Sequence, residues 1–226
     1  MSGLNKGNCK LIDLSHTLEH GVVTYRGLPG PVISDYMTRE ASEAHYTQGT
    51  SFHIGRIDMV SNTGTYIDSP FHRYADGKDL SEPSLESVVN LDGVVFHVDP
   101  ANRAIDKSLF ENANVTLKAV LIHTGWDRFW GTDKYFEGHP YLTRDAAEYL
   151  RDCDASLVGI DSLNIDDTSD GQRPVHSILL KADIPVVERL CNLSELPDTG
   201  FTFYAVPVKV KKFGTFPVRA FAIIYE

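Results

Sequence analysis

The chain has 226 residues, and its 31 acidic and 21 basic side chains give a formal net charge of −10. Apolar residues make up 42% and charged residues 23%, an ordinary globular composition that excludes a disordered or fibrous chain. The acidic balance excludes nucleic acid and an anionic membrane surface as partners, because both require clustered lysine and arginine. We therefore expect the partners to be small molecules or other protein chains.

The three cysteines indicate a reducing compartment. Cys9, Cys153 and Cys191 are odd in number and widely spaced, so they predict neither a disulfide framework nor a thiolate zinc site. The first ten residues lack the basic and apolar regions of a signal peptide, and no apolar run approaches about 18 residues. These features together predict a cytoplasmic protein.

Seven short runs rich in β-branched and aromatic residues predict strands. They cover residues 10–15, 52–59, 93–98, 119–123, 156–160, 201–208 and 219–225. Lys209, Lys211 and Lys212 adjoin the sixth run and are interpreted as a solvated face of a strand-like stretch. No internal repeat or long polar linker divides the chain, which predicts one domain over residues 1–226.

Helical periodicity is scarcer than the strand pattern. The clearest helix covers residues 143–152, where Thr143 can cap the start and Ala146, Ala147 and Leu150 form an apolar stripe. Residues 175–182 and 84–89 are two further candidates. Strands that outnumber helices, with helices between some of them, predict an α/β domain with a mixed sheet.

The densest polar segment, residues 60–80, directly follows a predicted strand. Gly64 allows a sharp turn and Pro70 fixes the chain direction, so a rigid loop can present Asp68 and His72 as part of an active site. The alternative is an Asx-type turn, in which Asp68 accepts backbone amides and His72 is merely exposed.

Residues 62–72 read Asn-Thr-Gly-Thr-Tyr-Ile-Asp-Ser-Pro-Phe-His. This segment resembles the signature His-x-Gly-Thr-His-x-Asp-x-Pro-x-His of the cyclase family of metal-dependent hydrolases, which includes kynurenine formamidase and isatin hydrolase. Asn62 and Tyr66 stand where the signature has two metal-ligand histidines. Further family landmarks are found at residues 13–16, 123–126, 159–161, 174–176, 184–193 and 217–220.

The resemblance implies a swivelling β/β/α fold, assembled as homodimers or homotetramers. It also implies that Asp68, His176 and Glu188 hold one divalent ion, zinc or manganese, and that His72 is the catalytic acid-base. Asn62 and Tyr66 would then contact the substrate instead of a second ion, since an amide and a phenol are poor replacements for two imidazoles.

The residues alone leave two alternatives open for the later ligands. His176 can simply occupy the first turn of the helix predicted from residue 175. Glu188 follows an apolar run that predicts a buried strand, where a carboxylate needs a partner such as Arg189, Lys181 or a metal.

The resulting functional prediction is a hydrolase of a small amide, lactam, imide or lactone that uses metal-activated water. One alternative is a metal-independent lyase or isomerase, in which His72 and a carboxylate move protons. The other is a binding protein that has kept the fold and lost the chemistry.

Two further clusters are noted beside this prediction. Five aromatic residues indicate core or interface packing rather than a substrate pocket: Trp126, Phe129, Trp130, Tyr135 and Phe136. Four aspartates occupy a polar loop after a strand with no EF-hand spacing: Asp161, Asp166, Asp167 and Asp170.

Overall fold

A computed structural model describes residues 9–99 and 101–225 of the chain. The strands in chain order are β1 (Cys9–Asp13), β2 (Val32–Met37), β3 (Ile54–Asp58), β4 (Tyr66–Asp68), β5 (Leu91–His97), β6 (Ala104–Ile105), β7 (Ala119–His123), β8 (Tyr141–Leu142), β9 (Leu157–Ile160), β10 (Val186–Glu188), β11 (Thr199–Tyr204), β12 (Thr215–Pro217) and β13 (Phe221–Tyr225). The α-helices are α1 (Arg39–Glu43), α2 (Arg144–Asp152) and α3 (Pro174–Lys181). No described helix combines the length and apolarity needed to cross a membrane.

Nine strands form one mixed sheet in the order β1-β13-β11-β5-β7-β9-β10-β4-β12. The pairs β5–β7, β7–β9 and β9–β10 are parallel, and the pairs toward both edges are antiparallel. Helix α2 leads into β9 and helix α3 leads into β10, as expected for crossovers between parallel strands. The mixed sheet confirms the predicted α/β fold class.

The central strands are apolar on both faces because both faces are covered. In β7, Val120 and Ile122 belong to the core beneath α2 and α3, whereas Leu121 belongs to the core on the opposite face. From the helix side, Leu150 and Leu179 are fully buried in the first of these cores. This double burial fixes the carboxyl ends of β7, β9 and β10, where the polar residues of the candidate site follow.

The structure corrects three local predictions. The helix expected over residues 84–89 is a single 3-10 turn, Leu85–Ser87, since the segment is too short to sustain a helix without a packed face. Thr143 occupies the N-cap position of α2, but its hydroxyl lies within hydrogen-bond distance of Asp145 Oδ1 and the Ile105 carbonyl and makes no bond to the helix backbone. The lysines after β11 are exposed as expected, although they lie in a loop rather than a strand.

The segment after β1 places a half-buried histidine, His16, against an aromatic ring. The His16 ring stacks on Trp130 with ring centroids 3.9 Å apart, and its Nε2 is buried without a hydrogen-bond partner among the residues described. Burial therefore lowers the pKa of His16 to about 4.

His16 predicts a loss of stability in acid. The unfolded chain binds a proton here near pH 6.5 and the folded chain only near pH 4, so its contribution is fully present above pH 6.5. We expect the free energy of unfolding to fall by about 2 to 3 kcal/mol from this group between pH 7 and pH 4. His16→Phe keeps the stacked ring and should flatten this part of the dependence in urea unfolding, whereas His45→Phe, at an exposed histidine, should not. Equal pH dependence in wild type and His16→Phe would contradict the assignment.

Candidate active site

Strand β4 supplies the first two polar groups of the site. It lies between β10 and β12, with Tyr66 opposite Glu188 and Asp68 opposite Thr215. Because side chains alternate along a strand, Tyr66 and Asp68 share one face and Ile67 enters the core on the other. Both cross-strand pairs are hydrogen-bonded, since Tyr66 donates to Glu188 Oε2 and Thr215 donates to Asp68 Oδ1.

His72 is presented by a rigid turn, as the sequence predicted. Gly64 has φ +69°, and the chain after β4 enters the 3-10 turn Pro70–His72. A Cβ on Gly214 would lie 2.3 Å from the His72 backbone nitrogen, so only glycine permits this approach. Asp68 itself lies on a strand rather than a loop and accepts no backbone N–H from any described residue, so the Asx-turn alternative is wrong.

His176 lies in the first turn of α3, and its orientation is fixed by a carboxylate. Its Nδ1 is 2.6 Å from Asp166 Oδ2, and Asp166 also accepts the backbone N–H groups of Val175 (2.7 Å) and His176 (3.1 Å). The Nδ1–H therefore donates to Asp166, which directs Nε2 toward Asp68 Oδ2 and Glu188 Oε1, each 3.5 Å away.

The charges of this cluster are strongly coupled. Burial lowers the pKa of His176, but the charge of Glu188, the hydrogen bond to Asp166 and the nearby Asp68 carboxylate raise it well above its usual value. Burial opposes ionisation of Asp68, but the nearby His176 and His72 imidazoles hold its pKa below the usual value. Burial raises the pKa of Glu188. The cluster thus buries two carboxyl groups and one imidazole whose charges depend on one another.

The hydrogen bonds around His72 assign its proton. Its Nδ1 is 2.8 Å from Thr215 Oγ1, and the Thr215 hydroxyl is already donated to the ionised Asp68. Thr215 can then only accept from His72, so neutral His72 carries its proton on Nδ1. The side chain is 35% exposed, and its Nε2 remains free to take a proton.

The structure places two of the three predicted metal ligands, Asp68 and His176, together with His72, whereas Glu188 lies 3.5 Å from His176 Nε2 and outside that group. One ligand atom from each of Asp68, His72 and His176 lies within 4.8 Å of the others. Asp68 Oδ2 is buried and has no hydrogen-bond partner among the described residues. Glu188 is also fully buried, but Ile165 N–H (2.6 Å), Asn164 (3.2 Å) and Tyr66 donate to its oxygens.

A cavity of about 240 Å³ is bordered by two members of this cluster, His72 and His176. Its lining consists of Tyr25, Leu28, Asn62, Tyr66, His72, Arg73, Asn164, Arg173, His176 and Arg189. The predicted substrate-contacting positions 62 and 66 both face it. The five aromatic residues of the sequence prediction instead pack around Leu163 beside the cavity, as expected for core packing.

Sequence reasoning missed several groups that shape the site. Asp166 orients His176, Thr215 links Asp68 to His72, and Asn164 donates to Glu188. Asp161 and Asp166 are fully buried, which the polar character of their loop did not indicate. Asp161 accepts the backbone N–H groups of Thr124 and Gly125, and so joins the ends of β7 and β9.

Comparison with known proteins now places the chain. A model of the Cyclase family matches residues 12–167. The chain belongs to the Cyclase family. It is 29% identical over 213 residues to the kynurenine formamidase of Geobacillus thermodenitrificans, covering 92% of this chain and 95% of that protein. The kynurenine formamidase of Bacillus cereus (strain ATCC 10987 / NRS 248) is 27% identical over 211 residues, with the same coverage.

Solved structures show the same fold. A potential metal-dependent hydrolase with cyclase activity superimposes with a TM-score of 0.80 at 25% identity, covering 97% of this chain and all of that one. An isatin hydrolase bound to the product analogue thioisatinate gives a TM-score of 0.81 at 20% identity, covering 96% and 93% of the two chains. The family assignment and the fold expected from residues 62–72 are thereby confirmed.

Proposed function

We propose that this chain is an enzyme that hydrolyses a small amide, with lactams, imides and lactones as related substrates. The observation that carries the proposal is the buried Asp68 Oδ2, which has no hydrogen-bond partner among the described residues and lies beside His72 and His176, two residues that line a cavity. Relatives over more than nine-tenths of the chain carry the name kynurenine formamidase, which supports amide hydrolysis.

One divalent ion, zinc or manganese, fits this donor set. Asp68, His176 and Glu188 would hold it through two oxygens and one nitrogen. The unpaired Asp68 Oδ2 and the His176 Nε2, whose ring is oriented by Asp166, are both suited to ligation. When bound, such an ion lowers the pKa of water toward about 7 and polarises the carbonyl.

The side chains of the pocket then move the proton. His72 Nε2 takes a proton from the attacking water as the new C–O bond forms, and it returns that proton to the leaving nitrogen as the C–N bond breaks. Thr215 and Asp68 hold the ring so that Nε2 faces the cavity. Asn62 can donate its amide to the substrate carbonyl, and the Tyr66 ring lies against the bound substrate.

Assembly and location remain proposals. Several large apolar side chains of the β2–β3 hairpin are exposed, with Tyr36 at 72% and Ile57 at 55%. An isolated two-stranded hairpin is marginally stable, which supports the homodimer or homotetramer expected from the sequence. The single domain over residues 1–226 and the cytoplasmic location stay predictions.

Metal dependence and turnover test the proposal together. We expect protein purified without added metal to carry about one zinc or manganese ion per chain and to release acid and amine from a panel of small aryl amides. Chelation should lower the rate at least about tenfold, and returning the ion should restore it. Mass spectrometry distinguishes the addition of water from elimination or isomerisation.

Three outcomes would contradict the proposal. A metal content far below one ion per chain, together with failed reconstitution, would show that the enzyme does not use a metal. Turnover that survives exhaustive chelation and yields no hydrolysed product would favour the lyase or isomerase alternative. Binding of panel compounds in a thermal-shift screen without any product would favour a binding protein.

A further inference from the structure

The cavity over the candidate site is lined by three arginines, although the protein as a whole is acidic. Arg73, Arg173 and Arg189 all contribute to it, and the chain carries a net charge of −10. None of the three has a carboxylate oxygen within 4.0 Å in residues 9–99 and 101–225. Four other arginines do pair with carboxylates: Arg26, Arg103, Arg151 and Arg219. Three arginines without a carboxylate partner among the described residues therefore line one cavity.

Arg189 is the most unusual of the three, because it is only 1% exposed. Its Nε donates to the Leu163 carbonyl (3.3 Å), and its Nη1 donates to Thr24 Oγ1 and the Asn62 carbonyl (both 2.9 Å). These acceptors are all neutral, and Nη2 donates to none of the described residues. A buried guanidinium without a counter-charge is unfavourable unless something else supplies the negative charge.

The neighbouring residues hold this guanidinium in a fixed orientation. Its central carbon lies 4.7 Å from the centre of the Tyr66 ring and 5.7 Å from that of Tyr25. The Tyr66 hydroxyl at the far end of the same ring contacts Glu188. Tyr66 thus contacts both the Arg189 guanidinium, through its ring, and the buried Glu188, through its hydroxyl.

We propose that the substrate carries a carboxylate, and that Arg189 binds this group while the amide lies over Asp68 and His176. The inference rests on the proposed hydrolase function and specifies its substrate class. The planar guanidinium of Arg189, whose Nη2 has no partner among the described residues, suits a carboxylate. Because Arg189 is buried, the low dielectric constant of its surroundings strengthens the attraction. Arg173 and Arg73, nearer the solvent, add positive potential at the entrance. The specificity-determining residue is Arg189.

Calorimetric binding of benzoate and benzamide tests the proposal without turnover. Both probes match in size, and wild-type protein should bind benzoate about tenfold more tightly, or better, as expected for hydrogen bonds to a charged group. Arg189→Met should remove the preference and Arg189→Lys should keep part of it. Arg173→Gln should weaken benzoate binding by a smaller factor. Arg39→Met, at an exposed arginine outside the cavity, should change nothing.

Each contrary result has a distinct meaning. Equal affinity of wild type for the two probes would overturn the carboxylate site. A preference that persists in folded Arg189→Met, checked by circular dichroism, would overturn the role of Arg189, and if that variant does not fold, an unchanged preference in Arg173→Gln would overturn the arginine-lined site. A preference that disappears on chelation would assign benzoate to the metal and also overturn it. Absence of amide turnover with the benzoate preference intact would contradict only the proposed hydrolysis.

Discussion

Replacing His72 with glutamine is expected to lower kcat by about 10²- to 10⁴-fold and to leave the metal content unchanged. The reason is the hydrogen-bond chain from Asp68 through Thr215 to His72 Nδ1, which leaves Nε2 as a proton acceptor at the cavity. A glutamine amide can donate to Thr215 as His72 Nδ1–H does, but it cannot exchange a proton. Steady-state kinetics on an amide substrate and metal analysis of the same preparation give the two readings.

The metal content of His72→Gln decides between an acid-base role and a ligand role, because the His72 ligand atom also lies within 4.8 Å of those of Asp68 and His176. Glu188→Gln should lower the metal content, and His45→Gln, at an exposed histidine, should alter neither quantity. A loss of metal in His72→Gln similar to that in Glu188→Gln would make His72 a ligand, and its acid-base role would then be wrong. An unchanged kcat would exclude His72 from the chemistry altogether.

Much of the fold was predictable because the central strands are continuous apolar runs. Residues 119–123 were predicted as a strand and form β7, which is buried on both faces. The short strand β4 was missed, since its three residues, buried but polar at Asp68, carry no readable periodicity. Predictions failed where structure depends on partners distant in sequence, as β4 depends on β10 and β12.

The same distinction between local patterns and distant partners applies to the residues of the site. Asp68 and His72 were identifiable because they lie four residues apart in one polar segment, and His176 and Glu188 because they match a family pattern. Thr215 contacts Asp68 across 147 positions, so no local signal marks it. Arg189 was noted only as a partner for its neighbour Glu188, whereas the structure turns its guanidinium toward the Asn62 carbonyl and the cavity. Its backbone φ of +59° accounts for this change of direction.

Restoring the two imidazoles of the family signature, by Asn62→His with Tyr66→His, is expected to create a second tight metal site only when Arg189 is also replaced. Asp68 shares the β4 face with position 66, so the new imidazoles can complete a three-ligand site with it. The guanidinium of Arg189 lies 4.7 Å above that position and would repel a dication at short range in a buried setting. We therefore expect the double variant to keep the wild-type zinc or manganese content. The triple variant with Arg189→Asn should gain one ion per chain, as read by metal analysis.

Asparagine is the suitable replacement at position 189, because it tolerates the left-handed backbone found there and brings no charge. Arg189→Asn alone should bind the same number of metal ions per chain as the wild type. This control shows that removing the repulsive charge is not enough without the two new imidazole ligands. A full extra ion in the double variant would show that Arg189 does not oppose a cation at this point. An unchanged stoichiometry in a well-folded triple variant would show that positions 62 and 66 cannot converge on Asp68. In that case Arg189 does not replace the charge of a second metal ion. The burial of its guanidinium is then explained by the substrate carboxylate alone.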